Sequence, residues 1–183
     1  MPFLHLASGW IVVLNATAWV VIFVGTGSVA AHLGDQALTR HRRLLRPRRF
    51  EHGGRFYEQR LHIATWKDRL PEAGTWSGGH SKRHLPPTEG RGVERFALET
   101  RRAELAHWYP LAAIPIFAIW NPPLGVALNA VFAIAFNAPF IVIQRYNRLR
   151  AERILLRRTG HLTHHTTALP RRRHERGDGV QTP

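Results

Sequence analysis

From Leu105 to Gln144 the chain carries no Lys, Arg, Asp or Glu, and Pro122-Pro123 interrupts this stretch near its middle. Two consecutive prolines forbid one continuous helix, so the stretch reads as a hairpin turning at Asn121-Pro122-Pro123. One arm covers about residues 103–120 and the other about 124–143. A helix needs about 20 apolar residues to cross the hydrocarbon core of a bilayer. The second arm meets that length and the first is marginal. Pro110 and Pro115 should kink or shorten the first arm, making it a broken or partly re-entrant helix.

A further uncharged stretch, about 10–33, precedes the hairpin and is long enough to span. The basic residues avoid all three stretches. Of 26 Lys and Arg, 16 lie between Arg40 and Arg102 and 10 between Arg145 and Arg176. A charge at the bilayer centre costs roughly 2.5–3.5 kcal/mol even on the lenient insertion scale, so this alternation predicts an all-α integral membrane protein. The expected architecture is one N-terminal transmembrane helix, a cytoplasmic amphipathic segment and a C-terminal transmembrane helical hairpin. The positive-inside rule places 35–102 and 145–183 in the cytoplasm, in a multi-pass protein of the cell membrane. Trp10, Trp108 and Trp120 fall near span ends, where interfacial aromatics belong. The rival reading of residues 1–31 is a cleaved signal peptide ending at Ser28-Val-Ala30. It is disfavoured by an n-region without Lys or Arg and by a long apolar run.

A net charge of +14 and a pI near 11.7 also raise nucleic acid as a partner. Inside-facing loops lying on anionic lipid account for the excess more simply, and no nucleic-acid partner is expected. Arginine outnumbers lysine 24 to 2, which reads as coding bias rather than a recognition code. The absence of cysteine excludes a thiol nucleophile, a disulfide framework and any Cys-ligated metal.

Residues 1–158 read as one membrane-embedded domain and 159–183 as a basic, disordered cytoplasmic tail. Residues 35–102 are too poor in Val, Ile and Leu for an independent soluble core. Tyr57, Leu61, Ile63, Trp66 and Leu70 recur at roughly helical spacing with Arg55, Arg60, Lys67 and Arg69 between them. That pattern predicts an amphipathic helix along the inner leaflet. Gly74 to Pro87 reads as a loop, and Val93 to Trp108 as a helix continuous with the first hairpin arm.

Chemistry concentrates where the hairpin meets the basic loops. Glu104 and His107 are three residues apart and share a helix face, with Thr100 one turn earlier. A carboxylate beside an imidazole holds its tautomer, the arrangement a general base needs to take a proton from a hydroxyl. The bland alternative is a polar anchor at a helix end. With equal rise on both arms, His107 should face the level of Asn137, and Glu99 the level of Arg145. Asn137 would orient a substrate hydroxyl or satisfy backbone freed by Pro139. Arg145, Asn147 and Arg148 would bind phosphate or a sugar, or serve only as flanking anchors. Trp66-Lys67-Asp68 sets a charged pair beside an interfacial aromatic, again as site or anchor. His80 and His84 have metal spacing but lie in a Gly/Pro loop with no third ligand nearby, and no metal is expected there or at His161–His165. None of Ser8, Ser28, Ser77 and Ser81 sits in a nucleophile elbow, and no glycine loop cradles phosphate. Direct transfer fits better than a covalent intermediate.

The blocks Phe50-Glu51, Gly54-Arg55-Phe56-Tyr57, Trp66-Lys67, Arg83-His84-Leu85, Glu99-Thr-Arg-Arg-Ala-Glu104-Leu-Ala-His107-Trp108 and Gln144-Arg-Tyr-Asn-Arg148 keep order and approximate spacing over about residues 50–150. In these the chain resembles the glycosyl-4,4'-diaponeurosporenoate acyltransferases. The resemblance implies a membrane enzyme that esterifies a sugar hydroxyl of a glycosylated lipid with a fatty acyl group. It implies a glycolipid acceptor, acyl-CoA or another acyl thioester as co-substrate, and no further cofactor. Glu104, His107, Arg83, His84, Arg145 and Asn147 stand at matching motif positions.

On this reading His107, oriented by Glu104, is the base. Arg83, His84 or Arg145 steadies the oxyanion or the donor's phosphates, and Lys67, Asn137, Asn147, Glu99 and Arg102 complete the substrate site. The long arginine-rich stretch Arg40–Arg49 departs from the family pattern. The alternative is a non-catalytic membrane subunit or lipid-binding adaptor that docks through its basic loops. Oligomeric state is not legible in the sequence.

Overall fold

The computed structural model describes residues 8–40, 42–70 and 92–167, which are helical with no strand among them. Helix α1 spans Ser8–His32. Thr26 folds its hydroxyl back on the helix, donating from Oγ1 to Ile22 O at 2.7 Å. Leu33-Gly34 ends α1, and two short helices follow, α2 (Asp35–Arg40) and α3 (Arg42–Leu45). A 3₁₀ turn over Arg49–Gly54 leads into α4 (Arg55–Gln59) and α5 (Ile63–Trp66), closed by a second 3₁₀ turn at Lys67–Arg69. Helix α6 then covers Gly92–Ala112, a 3₁₀ segment covers Ile114–Ile119, and α7 runs from Pro123 to Thr167.

Proline places the breaks of the hairpin. Ile114 precedes Pro115 and so disfavours the α conformation, and Pro115 has no N–H to return to Leu111. The arm tightens instead, with Ile116 N–H donating to Ala113 O at 3.0 Å. Pro123 opens α7 at a position where the missing N–H costs nothing. The first arm is therefore a broken helix, and 103–120 is not one continuous span. At about 2.0 Å per residue against 1.5, the 3₁₀ segment also stretches this arm by about 3 Å.

Helices α6 and α7 lie antiparallel. Val93, Phe96 and Ala97 pack on Ala151 at the far end of the pair, and Trp19 of α1 packs on Phe117 and Ala133 near the tip. Leu38 and Leu45 close over Leu105. Tyr57 and Ile63 pack on Tyr146 and Leu149 of α7.

Two expectations are corrected. The amphipathic helix over Tyr57–Leu70 is two single-turn helices, split where His62 takes a left-handed backbone (φ 46°). Of its apolar residues, Tyr57, Ile63 and Trp66 pack toward α7, while Leu61 stays exposed. The tail beyond residue 158 is helical as far as Thr167, α7 running on through Gly160. The Arg148–Glu152 pair and the packing of Ala151, Ile154 and Leu155 carry the helix past the hairpin.

Two helical segments, Gly9–His32 and Pro123–Arg158, are long and apolar enough to cross a membrane. Their outward faces are apolar: Trp10, Val12, Val20, Val21 and Val24 on α1, and Leu124, Leu128, Val131 and Ile134 on α7, are each more than half exposed. Monomeric soluble proteins rarely leave a contiguous apolar surface of that kind open.

Candidate active site

The turn at Arg49–Gly54 builds the first part of the site. His52, Gly53 and Gly54 all have positive φ (45°, 63° and 101°), which reverses the chain and turns Glu51 inward. Gly54 is required here by its positive φ, which L side chains rarely adopt; the space beside it, where a Cβ would lie 3.5 Å from the Tyr146 ring, is not what excludes a larger residue. Glu51 is fully buried. Its Oε1 accepts from Tyr57 Oη and from Arg145 Nε, both at 2.5 Å, and its Oε2 accepts from Arg145 Nη2 at 3.1 Å and from the Arg48 backbone N–H. Burial pushes the Glu51 carboxyl up, but the bonds from Arg145, Tyr57 and Arg48 outweigh it and hold it below the ordinary carboxylate value. Burial, reinforced by the bond to Glu51, pushes the Tyr57 phenol up.

Arg145 is the hub. Besides Glu51 it donates to Glu104 Oε1 (2.9 Å), Leu44 O (3.1 Å) and Arg46 O (2.7 Å). These bonds account for all five N–H donors of a guanidinium. Glu104, also fully buried, gives its other oxygen to Arg148 Nε at 2.9 Å. Arg148 and Arg101 meet on Glu152 at 3.2 and 2.8 Å. Three acids and three arginines thus form a charge-balanced chain between the hairpin arms and the α3–α4 segment.

His107 stands beside this chain. Its Nδ1 lies 3.1 Å from Asn137 Oδ1, and its ring stacks on Phe140 with centroids 4.8 Å apart and planes at 9°. The Asn137 amide is oriented by its own Nδ2, which donates to Ala133 O at 2.8 Å. Oδ1 is thereby left to accept, so Nδ1 of His107 carries the proton and Nε2 is the basic nitrogen. Asn137 is fully buried. It does not satisfy backbone freed by Pro139, because the carbonyl that loses its partner there belongs to Ala135.

The sequence-derived set divides on this geometry. His107 and Asn137 meet at the level expected. Glu104 is held by two arginines, so the group that fixes the imidazole is Asn137; this corrects the carboxylate–imidazole pairing. Arg145 meets Glu104 and Glu51 rather than the level of Glu99. Glu99 pairs with Arg102, which also donates to Leu33 O (3.0 Å) and Asp35 (2.7 Å) and ties α6 to the end of α1. Lys67 pairs with Asp68 at 2.6 Å on the α5 flank. Asn147 is buried on α7, and Thr100 turns its hydroxyl back to Phe96 O and Ala97 O. Arg83 and His84, with His80, lie outside the described residues.

Sequence reasoning missed Glu51 and Tyr57 as members of the site. Their signal was present: an acid and a phenol flanking Gly53-Gly54, inside a block that carried the resemblance.

The profile of the glycosyl-4,4'-diaponeurosporenoate acyltransferase family matches residues 41–157. The chain belongs to that family. Glycosyl-4,4'-diaponeurosporenoate acyltransferases of Staphylococcus aureus strains bovine RF122 / ET3-1 and USA300 are each 32% identical to it over 114 residues, 61% of this chain and 68% of theirs. No solved structure matches. The family match takes in Glu51, Tyr57, Glu104, His107, Asn137, Arg145 and Arg148, and begins after α1. Within this acyltransferase family, then, the whole buried ion chain and the imidazole lie in the shared region, whereas α1 lies outside it.

Proposed function

We propose that the chain is a membrane O-acyltransferase that esterifies a sugar hydroxyl of a glycosylated lipid, with a glycosyl carotenoid as the acceptor class suggested by its relatives' name. The observation that carries this reading is the imidazole of His107, whose tautomer Asn137 fixes so that Nε2 is the base. Nε2 takes the proton from the acceptor hydroxyl as its oxygen attacks the carbonyl of an acyl thioester. The tetrahedral intermediate collapses with cleavage of the C–S bond, and the imidazolium returns the proton to the thiolate. General-base catalysis contributes about 10²–10⁴-fold, and positioning and charge supply the remainder.

Arg145 is a scaffold in this scheme, not a substrate ligand, since every donor it has is already engaged. Arg83 and His84 retain their proposed role with the donor's phosphates or the oxyanion. The exposed apolar faces of α1 and α7 support insertion in the cell membrane, with the broken arm α6 and its 3₁₀ extension as a third crossing. The basic segments then face the cytoplasm, where a thioester donor is found.

His107→Ala should lower ester formation from a radiolabelled acyl thioester in isolated membranes by at least about 10²-fold, with unchanged amounts of inserted protein. Full activity in that variant refutes the assignment. Reporter fusions that put residues 35–102 on the outer face would refute the topology.

A further inference from the structure

Glu104 and Arg148 face each other across the α6–α7 seam. One helical turn nearer the hairpin tip stand Trp108, four residues after Glu104, and Gln144, four residues before Arg148. Among the described residues, four buried side-chain atoms have no hydrogen-bond partner: Arg101 Nε, Trp108 Nε1, Gln144 Oε1 and Arg148 Nη2. All belong to this seam. Arg148 is only 1% exposed, so solvent does not serve its free nitrogen. Buried polar atoms are nearly always paired, so a run of exceptions on facing helices calls for a partner from outside the chain.

The chemistry of that group follows from the atoms. Trp108 and Arg148 offer N–H donors, and Gln144 offers an acceptor. An anion would satisfy the donors but not Gln144 Oε1. The charge of Arg148 is moreover already engaged by Glu104 and Glu152. A neutral hydroxylated group both accepts and donates, as a sugar does. His107 adjoins Trp108 in sequence, and Phe140, on which its ring stacks, lies one turn from Gln144. We propose that Gln144, Trp108 and Arg148 form the subsite for the sugar headgroup of the acceptor, presenting its hydroxyl to His107. This assignment rests on the acyl-transfer reading for the nature of the acceptor, but its test does not require transfer.

The full chain in lipid nanodiscs is offered monoglucosyldiacylglycerol and diacylglycerol with the same chains, at equal mole fraction and without donor, and the retained lipids are counted by native mass spectrometry. Wild type should prefer the glucosyl lipid by about tenfold, and Gln144→Leu should abolish the preference. Trp108→Phe should weaken it. Gln144→Leu also removes an unpaired buried acceptor, so its melting temperature should equal or exceed that of wild type while binding falls. The proposal is overturned if wild type shows no preference or if Gln144→Leu keeps it. It is equally overturned if binding and stability fall together, because Gln144 is then structural. If ester formation is never observed while the preference follows this pattern, the transferase reading fails and the subsite stands.

Discussion

At the hairpin tip, Asn15 and Asn121 exchange amide bonds at 2.8 and 3.1 Å, and Trp120 Nε1 donates to Asn15 at 2.8 Å. One turn further in, Trp19 Nε1 donates to Asn129 at 2.8 Å. At the opposite end α6, α7 and the Arg49–Gly54 turn are joined by Glu51, Glu104, Arg145 and Arg148. The ionic cluster is buried and the tip cluster partly so, and both tie segments distant in sequence, yet one is neutral and the other ionic. Neutral amides and indoles can be paired in hydrocarbon at modest cost. Full charges are costly there and are found where they balance one another or serve a reaction. The ionic end is also the end that carries His107, and it lies wholly inside the family match, whereas Asn15 and Trp19 of the tip lie outside it, so the chain concentrates its energetic risk beside its proposed chemistry.

The contrast predicts unequal fragility. Arg145→Ala leaves Glu51 and Glu104 as uncompensated buried acids and should cost about 3–5 kcal/mol, read by denaturant titration in micelles. Arg145→Lys should rescue little, since an ammonium has three donors and no planar fork. A loss below about 1 kcal/mol would contradict a hub role.

Acid should separate the ends next. Glu51 titrates below its ordinary value of 4.5 in the fold, so its contribution is complete above that pH and is lost as pH falls through the depressed value. Thermal stability should therefore drop as pH falls below that ordinary value, and Glu51→Gln should be less stable at neutrality but flatter with pH. An unchanged acid limb in that variant would remove Glu51 from the account.

At the neutral tip, Asn129→Leu strips Trp19 of its acceptor and should cost about 0.6 kcal/mol and at most about 1.7, as interhelical bonds in membrane proteins do. A cost equal to that of Arg145→Ala would erase the difference between the ends. Smallest of all, Glu99→Gln breaks the partly exposed pair with Arg102, worth about 0–1 kcal/mol in the same titration.

How far the sequence reached differs by residue. The hairpin, its Asn121-Pro122-Pro123 turn and the broken first arm were legible, because proline and the absence of charge act locally. The meeting of His107 with Asn137 followed from helical rise alone. The partners of Glu104 did not. Side chains lean toward the N-terminus of their own helix, so in an antiparallel pair Glu104 leans away from the tip and Arg145 leans toward it. In side chains as long as Glu and Arg, that lean moves the ionic register off the equal-rise level.

Glu51 was out of reach for another reason. Its approach to Arg145 spans most of the chain and depends on the left-handed turn at His52–Gly54, which no periodicity signals. What the residues themselves determined is the helical class, the segments that shun water and the presence of an acid, a base and guanidinium groups at one end. Which carboxylate meets which arginine, and that an amide rather than an acid orients the imidazole, was decided only in three dimensions. Ion pairs and tautomers depend on distances of a few ångströms between elements, and linear spacing fixes those only within one helix.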